Sequence, residues 1–374
     1  MRVVCAMSGG VDSSVAAAVL AEAGHEVIGA TMQIWPDDQP AADGGCCSLA
    51  AVHDARRVAD RLGIPYYVLN LREAFAAEVI AYFCREYAAG RTPNPCIACN
   101  QRVKFAELLS RALALEADAL ATGHYARVEQ GADGRWLLQK ARDAAKDQTY
   151  ALYGLTQAQL GRALFPLGDL TKAEVRQRAA ELGLAVADKA ESQEICFVTG
   201  DYRDFLAARI PEAIRPGPIL DTAGNVLGRH AGLPRYTVGQ RSGLGVAAGV
   251  PLYVLELDAN RNALIVGRRE EEHARGTLLT DVNLIPWDRL DGELAVTIKL
   301  RYGARESPAK AYPAASAPGA VAGAGEKDVV VLFDRPLRAV APGQAGVLYR
   351  GETVIGGGTI VRALGRGVPD GRGG

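Results

Sequence analysis

The chain has 374 residues, 49% hydrophobic and 23% charged, which is ordinary for a globular protein long enough to form two or three domains. Its net charge of −1 excludes a generally basic surface, so any nucleic-acid contact must be local. No apolar run reaches the ~18 residues that a membrane helix needs, and Met1-Arg2 leads into a predicted strand rather than a signal peptide. We therefore expect a cytoplasmic protein with no membrane partner.

The N-terminal part alternates strand and helix patterns, which is typical of a parallel sheet. Strands are predicted over residues 2–7, 26–32, 65–71 and 118–122. Helices are predicted over residues 13–23, 49–62, 74–87 and 101–115, with Gly24 and Gly63 as helix stops. Ligands of such sheets bind outside the carboxyl ends of the strands. Residues 8–14, Met32 and the pair Gly123-His124 should therefore converge on one crevice.

A loop rich in small polar residues joins the first predicted strand to the first helix. It reads Ser8-Gly9-Gly10-Val11-Asp12-Ser13-Ser14. Glycines let the backbone approach a ligand, serine hydroxyls add donors, and the helix N-terminus attracts an anion. The loop has no Gly-Lys-Ser/Thr, and therefore no lysine of its own to reach a β- or γ-phosphate. We predict a phosphate-binding loop; the alternative is a Ser/Gly turn with Asp12 as helix cap.

The rest of the chain becomes progressively richer in β patterns. A short hairpin is predicted after residues 130–134, followed by a helical stretch to about residue 183. Short strands punctuated by glycine are expected from about residue 201, within residues 217–228, 252–266 and 277–284. The β pattern continues from 293 to 361, with an Ala/Pro/Gly-rich loop over residues 311–325. These patterns predict a small β-rich domain followed by a β-barrel.

Seven cysteines, an odd number in a chain without an export signal, argue against a disulfide framework. Cys96-Ile97-Ala98-Cys99 follows a proline-stiffened loop and precedes a predicted helix, whose N-terminus favours a thiolate. Three interpretations remain open. Cys96 and Cys99 could bind zinc together with Cys46-Cys47, although adjacent cysteines are not the usual spacing. They could instead form a thioredoxin-like redox pair, or take part in sulfur transfer with a persulfide carrier and a nucleophile.

An ordered set of motifs gives the chain a specific resemblance. The loop at residues 8–14 is followed by Gly90-Arg91-Thr92-Pro93-Asn94-Pro95, Cys99-Asn100, Ala121-Thr122-Gly123-His124-Tyr125, Lys146-Asp147-Gln148, Ile195-Cys196-Phe197, Gly239-Gln240-Arg241-Ser242-Gly243-Leu244-Gly245, Arg301-Tyr302 and Pro342-Gly343-Gln344. In order and spacing the set resembles the tRNA-specific 2-thiouridylases, which are PP-loop ATPases, and it runs essentially end to end. That family uses ATP to adenylate O2 of a tRNA wobble uridine, and sulfur then replaces the activated oxygen.

The resemblance implies roles for the loop and for two cysteines. Residues that would hold the ATP phosphates are Ala6, Met7, Ser8, Gly9, Gly10, Val11, Asp12 and Ser13, while Met32 and Gly123 would line the adenine and ribose side. Cys99 would be the catalytic nucleophile, and Cys196 would carry sulfur as a persulfide. A Cys99–Cys196 disulfide would then close, and a reductant would reopen it. ATP and Mg²⁺ are the expected cofactors, with no metal site of the protein's own; Asp12 would orient Mg²⁺ or cap the helix.

The resemblance also implies the partners, which are tRNA and a protein that donates persulfide sulfur, with no role for DNA. Residues that would contact tRNA are Asn94, Pro95, Cys96, His124, Lys146, Asp147, Gln148, Arg301, Tyr302 and Gln344. Many family members carry Asp where this chain has Cys96. A thiol is a poor substitute for a carboxylate that contacts or deprotonates a base, so we interpret Cys96 as a spectator near the base pocket. His124 is expected to contact substrate rather than to act as an acid or base.

We therefore predict an α/β fold with a doubly wound parallel sheet of the PP-loop, adenine nucleotide alpha hydrolase-like type, followed by a β-rich domain and a β-barrel. The predicted bounds are residues 1–200 for the catalytic domain, 201–272 for the central domain, 273–364 for the tRNA-contacting barrel, and 365–374 for a disordered tail. Alternatives are a PP-loop ligase or amidotransferase acting on a small substrate, an RNA-binding protein for which ATP is a structural ligand, and a disulfide-switched redox sensor.

Overall fold

The structure is a computed structural model that describes residues 1–35, 49–187, 189, 195–198, 200–319, 321 and 323–366. The chain forms two compact units. The first contains Met1–Ala81, Pro95–Gly200 and Gly351–Val354, and the second contains Tyr82–Asn94, Asp201–Arg350 and Ile355–Gly374. Within the described ranges, no helix is both long enough and apolar enough to cross a bilayer.

The first unit is built on a parallel sheet of five strands. They are β1 (Arg2–Ala6), β2 (Glu26–Gln33), β3 (Tyr66–Asn70), β4 (Ala119–Thr122) and β7 (Ala163–Leu164), in the order β3-β2-β1-β4-β7. Helices α1 (Val11–Glu22) and α2 (Leu49–Leu62) follow β1 and β2. Gly24 and Gly63 end these helices with φ values of 79° and 68°. The predicted parallel α/β sheet is confirmed, with β7 as a short strand that the sequence did not indicate.

Two predicted helices contain π-helical stretches, which a 3.6-residue periodicity does not anticipate. The helix predicted at residues 74–87 begins as α3 (Arg72–Phe75), continues as a π-helix over Ala76–Ile80 and ends as α4 (Ala81–Ala88). The helix predicted at 101–115 begins earlier, as α5 (Pro95–Ala98). It continues as a π-helix over Cys99–Leu108 and ends as α6 (Leu109–Ala114).

The remainder of the first unit is a hairpin and several short helices. The hairpin pairs β5 (Arg127–Gln130) with β6 (Trp136–Gln139), so it turns at residues 130–134 instead of following them as predicted. A 3₁₀ turn over Thr149–Ala151, α7 (Gln157–Leu160) and α8 (Lys172–Glu181) follow. The helical stretch predicted to residue 183 is therefore discontinuous, because β7 interrupts it. The buried cluster around Val3, Val15 and Val175 packs α1 and α8 against the sheet.

The part of the second unit that begins at Asp201 starts with a helix, α9 (Tyr202–Arg209), where the sequence predicted strands from residue 201. Asp201 caps it by accepting a hydrogen bond from the backbone N–H of Arg203 at 2.8 Å. A four-stranded sheet follows, in the order β10-β11-β8-β9. Its strands are β8 (Gly217–Leu220), β9 (Val226–His230), β10 (Tyr253–Asp258) and β11 (Ala263–Gly267).

A closed antiparallel barrel completes this unit, as predicted. Its strands are β12 (Ala274–Leu284), β13 (Leu294–Lys299), β14 (Ser307–Pro313), β15 (Val329–Leu337), β16 (Ala345–Arg350) and β17 (Thr353–Leu364). They run in the order β12-β15-β14-β13-β16-β17, and the β12–β17 pairing closes the ring. The predicted loop at residues 311–325 begins too early, since residues 311–313 belong to β14 and Ala314–Ser316 forms a 3₁₀ turn. Of the predicted tail, residues 367–374 lie outside the described residues.

Candidate active site

The loop between β1 and α1 is held open by hydrogen bonds between its serines. The Ser8 backbone N–H donates to Ser13 Oγ at 3.1 Å, and the two Oγ atoms lie 3.2 Å apart. Ser13 and Ser14 donate their hydroxyls to the carbonyl of Gly10, at 3.1 and 2.9 Å. Gly10 caps α1 without a side-chain bond, so the first backbone N–H groups of the helix face the loop. This is the anion-binding geometry predicted for residues 8–14.

Close backbone approaches explain two glycines of the site. Gly9 has φ 66°, and a Cβ there would lie 2.2 Å from the carbonyl oxygen of Ala51 in α2. A Cβ at Gly123 would lie 2.7 Å from the backbone nitrogen of Ser13 and 2.8 Å from the carbonyl carbon of Asp12. Gly123 follows β4, which pairs with β1. The end of β4 therefore touches the phosphate loop, and the predicted convergence of residues 8–14 and Gly123 is confirmed.

Asp12 carries contacts that the sequence did not reveal. Lys172 Nζ donates to both of its carboxylate oxygens, at 2.7 and 2.8 Å, and the Tyr125 hydroxyl donates at 2.7 Å. Lys172 begins α8, 160 residues away along the chain, and its side chain is largely buried. Its backbone N–H also donates to Asp143. A lysine thus lies beside a loop that contains none of its own.

A second lysine and a tyrosine support the other side of the loop. Lys189 Nζ donates to the carbonyl of Gly9 at 2.9 Å and to Asp54 at 2.6 Å. Thr31, next to Met32 in β2, donates to the carbonyl of Met7 at 2.5 Å and accepts from Tyr66 at 2.7 Å. Met32 itself is buried at the end of β2, which pairs with β1. Met32 is thus at the predicted sheet edge.

Cys99 opens the ten-residue π-helix and is partly accessible. Two side chains hold this stretch in place. The Asn100 amide donates to the Ala151 carbonyl at 3.0 Å, and the Gln159 amide donates to the Phe105 carbonyl at 2.7 Å. The side-chain oxygen of Asn100, Oδ1, is buried without a hydrogen-bond partner. A π-helical stretch held by side-chain bonds is common at functional sites, and here it starts on the predicted nucleophile.

Cys196 lies in a turn that is anchored near the same helices. The Val198 backbone N–H donates to the Ile195 carbonyl at 2.9 Å. The Phe197 ring packs edge-on against Phe75, with ring centroids 5.6 Å apart. Phe75 belongs to α3, and α3 contacts the π-helix that begins at Cys99. The segments that carry the predicted nucleophile and the predicted sulfur carrier therefore both contact α3.

The described cysteines divide into inert and accessible thiols. Burial raises the pKa of Cys5 to about 12. Burial also raises the pKa of Cys84, and Arg209 only partly opposes this. Cys96 is exposed, whereas Cys99 and Cys196 are partly accessible, and all five described cysteines are free thiols. Cys46 and Cys47 lie outside the described residues. Among the residues that are described, no group of three or more metal-ligating side chains occurs.

His124 is held as a neutral ring. Its Nδ1 lies 2.7 Å from the Thr122 hydroxyl, and its ring packs between Phe105 and Phe165. Desolvation by burial, with a smaller repulsion from Lys104, lowers the pKa of His124 well below its usual range. An imidazole that is neutral at pH 7 is suited to hydrogen bonding with a substrate and unsuited to donating a proton as an imidazolium.

The lowered pKa of His124 predicts acid sensitivity. Below about pH 6.5 the unfolded chain protonates this histidine whereas the folded state resists, so folding stability falls as the pH falls. Between pH 6.5 and 5, the free energy of unfolding of the wild type should fall more steeply than that of His124→Gln. The difference should be up to about 1.4 kcal/mol per pH unit, which is the linkage limit for one proton. Thermal melts of both proteins across this range test the difference. Equal slopes, or an NMR titration of His124 near pH 6.5, would contradict it.

The Lys146-Asp147-Gln148 loop is tied into the first unit. Asp147 accepts from the Ala141 backbone N–H at 3.2 Å and from the Thr149 hydroxyl at 2.8 Å. Gln148 and Tyr125 exchange two hydrogen bonds of 3.0 Å, one of them through the Gln148 side chain. Lys146 is half-buried. These bonds give Asp147 and Gln148 a local positioning role, and tRNA contact at the three residues stays a prediction.

The other predicted tRNA contacts divide between the two units. In the second unit, Arg301 and Tyr302 are exposed on the loop between β13 and β14. Tyr302 is 54% exposed to solvent. The Gln344 amide instead donates to the Thr92 carbonyl at 2.8 Å, and Thr92 donates its N–H to Pro342. Asn94 is half-buried in this unit. In the first unit, Pro95 is buried and Cys96 is exposed.

Three family profiles match successive parts of the chain. Residues 1–200 match the tRNA methyl transferase HUP domain, residues 203–268 match the tRNA methyl transferase PRC-barrel domain, and residues 275–360 match the aminomethyltransferase beta-barrel domain. Among solved structures, the chain is similar to the U34-tRNA thiolase NcsA from Methanococcus maripaludis, with a TM-score of 0.35 and 16% identity. That alignment covers 57% of this chain and 65% of the other.

Curated relatives match at much higher identity. The tRNA-specific 2-thiouridylase MnmA of Moorella thermoacetica is 57% identical over 359 residues, which are 95% of this chain and 98% of the relative. The corresponding protein of Heliobacterium modesticaldum is 55% identical, over 98% of this chain and 94% of the relative. Identity at this level over nearly the whole length of both proteins confirms the resemblance based on the motifs. The chain belongs to the tRNA-specific 2-thiouridylase family.

Proposed function

We propose that this enzyme thiolates the wobble uridine of tRNA in two stages, adenylation by ATP and transfer of sulfur between cysteines. The observation that supports the proposal most directly is the pairing of an anion-binding loop with accessible thiols in the same unit. Family membership supplies thiolation of tRNA and the use of ATP. The wobble position, the adenylated intermediate and the cysteine roles are our proposals. We place the reaction in the cytoplasm, where a persulfide-bearing protein would supply sulfur.

In the first stage, the loop binds the ATP phosphates through the backbone N–H groups at the start of α1 and the hydroxyls of Ser8 and Ser13. Lys172 supplies the positive charge that the loop lacks, and it also neutralises Asp12, whose carboxylate would otherwise repel a triphosphate. Attack by the uridine O2 on the α-phosphorus releases pyrophosphate. The oxygen at C2 thereby becomes part of an AMP leaving group.

In the second stage, sulfur moves from Cys196 to the base. The terminal sulfur of a Cys196 persulfide bonds to C2, and AMP leaves with the former O2. Cys99 attacks the Cys196 sulfur, which breaks the bond to the transferred sulfur and closes a Cys99–Cys196 disulfide. The two cysteines supply the two electrons that reduce the sulfane sulfur, so a thiol reductant must reopen the disulfide before the next turnover.

Mg²⁺ would enter this site with ATP. Magnesium at nucleotide sites is held by phosphate oxygens, waters and one or two carboxylates. Asp12 is the carboxylate of the loop, and Lys172 engages both of its oxygens. When bound, the ion would neutralise charge on the phosphates.

Nucleoside analysis of tRNA tests the proposal. Unmodified tRNA is incubated with the full chain, ATP, Mg²⁺, a persulfide donor and a thiol reductant, while AMP and pyrophosphate are measured in parallel. We expect 2-thiouridine at the wobble position, with AMP released in step with it. Pyrophosphate release with a small acceptor and no thionucleoside would indicate a ligase. AMP release independent of tRNA, or thiolation without ATP, would also overturn the proposal.

A further inference from the structure

Tyr125 lies between the phosphate loop and the loop at residues 146–148, and it bonds to both. Its hydroxyl donates to Asp12 Oδ1 at 2.7 Å, 113 residues away along the chain. Its backbone N–H donates to the side-chain oxygen of Gln148 at 3.0 Å, and its carbonyl accepts the Gln148 backbone N–H, also at 3.0 Å. Tyr125 therefore joins the two loops directly, and the two stages described above give it no role.

Tyr125 has little freedom to move on its own. It is 2% exposed and belongs to the buried cluster that packs α1 and α8 against the sheet. Two residues earlier, the backbone at Gly123 lies so close to α1 that a Cβ there would be 2.7 Å from the Ser13 nitrogen. Because a close-packed interior transmits strain, a shift at Asp12 passes to the Tyr125 backbone and from there to Gln148.

The segment that follows Gln148 is also held in place. Thr149 is fully buried at the start of the 3₁₀ turn, and Asn100 donates to the Ala151 carbonyl at the end of this turn, at 3.0 Å. Asn100 follows Cys99, the predicted nucleophile. A movement of Gln148 therefore reaches the predicted tRNA-contacting loop and the segment that opens on Cys99.

The Asp12 carboxylate is the acceptor that a bound nucleotide would disturb. Lys172 Nζ donates to both of its oxygens, and the Tyr125 hydroxyl adds another donor at Oδ1. A triphosphate on the loop would draw the Lys172 ammonium toward its own oxygens, because two anions then compete for one cation. Asp12 would rely more on the Tyr125 hydroxyl, and bonds to an ionised acceptor are the stronger kind. Nucleotide binding would thereby tighten the Tyr125–Asp12 bond.

We propose that Tyr125 is a positioning residue that couples nucleotide binding to tRNA binding. The nucleotide strengthens the bond to Asp12, Tyr125 fixes Gln148, and the ordered loop binds tRNA more tightly. Each ligand orders contacts that the other needs, so the second to bind loses less entropy. By linkage, tRNA raises the affinity for the nucleotide by the same factor. The tRNA contact at residues 146–148 rests on the proposed function, whereas the link from the phosphate loop to Gln148 does not.

Hydrogen–deuterium exchange tests this link without tRNA and without any variant. The full chain is compared with and without saturating α,β-methylene-ATP and Mg²⁺, since this analogue cannot release pyrophosphate. We expect the analogue to slow exchange over residues 141–151 by at least about fivefold, because the Gln148 backbone N–H donates to Tyr125. Unchanged exchange over residues 141–151 would overturn the proposal.

Tyr125→Phe removes the hydroxyl and keeps the ring and the backbone bonds to Gln148. The dissociation constant for unmodified tRNA is measured with and without the analogue, in the wild type and in the variant. The analogue should tighten tRNA binding by the wild type at least about fivefold. In Tyr125→Phe the two constants should agree within about twofold, and tRNA affinity without nucleotide should match the wild type. A purely structural role would weaken tRNA binding equally in both states. That result, or coupling retained in Tyr125→Phe, would overturn the proposal.

Tyr66→Phe is the matched control. The Tyr66 hydroxyl also supports the phosphate loop, since it donates to Thr31, which donates to the Met7 carbonyl. Tyr66 lies in β3, whereas Tyr125 follows β4 on the other side of β1. This variant should keep the coupling of the wild type. Loss of coupling in both variants would assign it to general loosening of the loop and overturn the proposal. Formation of 2-thiouridine is assayed separately, so failure of the coupling is distinct from failure of the proposed function.

Discussion

Cys99→Ala and Cys196→Ala should each lower the rate of 2-thiouridine formation by roughly 10⁴-fold or more. This is the scale of loss when a covalent nucleophile is removed. The reason is that neither cysteine can complete the two-electron transfer alone. Both thiols are partly accessible, and both segments contact α3. Pyrophosphate release should persist in both variants, because the phosphate loop is intact. Nucleoside analysis and a pyrophosphate assay on the same samples separate the two stages.

Cys96→Ala is the matched variant, since Cys96 is exposed and only three residues from Cys99. It should leave a measurable fraction of thiolation. Cys84→Ala serves as a second control, because burial raises the pKa of Cys84 and makes it unreactive. If Cys96→Ala lost as much activity as Cys99→Ala, our interpretation of Cys96 as a spectator would be wrong. If either Cys99 or Cys196 proved dispensable, sulfur transfer through this pair would be wrong.

The parts of the site that follow local rules were predictable from the sequence. Ser8 to Ser14 form the expected cradle because a strand, two glycines and a helix N-terminus dictate it. The helix over Leu49–Leu62 ends where predicted because Gly63 adopts a positive φ after it. Gly123 was predicted at the crevice because it follows a strand of a parallel sheet, and the structure shows that this strand, β4, pairs with β1.

The parts that sequence reasoning missed depend on distant contacts or on unusual local geometry. Asp12 and Lys172 are 160 residues apart, and no pattern in either segment indicates the other. The π-helix at Cys99 escapes a search for 3.6-residue periodicity, because the bonds that hold it come from Gln159 and from Asn100 to Ala151. The helix α9 could have been found, since Asp201 is a standard N-cap residue. Only the end of β14, residues 311–313, was predicted as loop, because an Ala/Pro/Gly-rich stretch begins there and Pro313 closes the strand.

Lys172→Met should lower the rate of ATP-dependent pyrophosphate release by about 10²- to 10³-fold, as expected when one preorganised donor to a developing charge is lost. Lys172 is largely buried and contacts Asp12 directly, so the variant leaves a carboxylate beside the phosphates that, among the described residues, keeps its bond from Tyr125. Lys172→Arg should retain part of the rate. Lys189→Met is the matched control, because Lys189 bonds to the loop carbonyl of Gly9 but is more exposed. Lys189→Met should lower the rate of pyrophosphate release less than tenfold.

A double variant decides whether Lys172 acts on ATP or only neutralises Asp12. Asp12→Asn removes the charge that Lys172 balances, so combining it with Lys172→Met restores electrostatic balance and should restore thermal stability toward that of Asp12→Asn alone. If Lys172 also binds phosphate, the double variant should still release pyrophosphate at least about tenfold more slowly than Asp12→Asn, because one preorganised cation is missing. Equal rates in these two proteins would restrict Lys172 to a structural role. The phosphate loop would then need a different source of positive charge, and Lys189, which donates to the loop carbonyl of Gly9, would be the candidate.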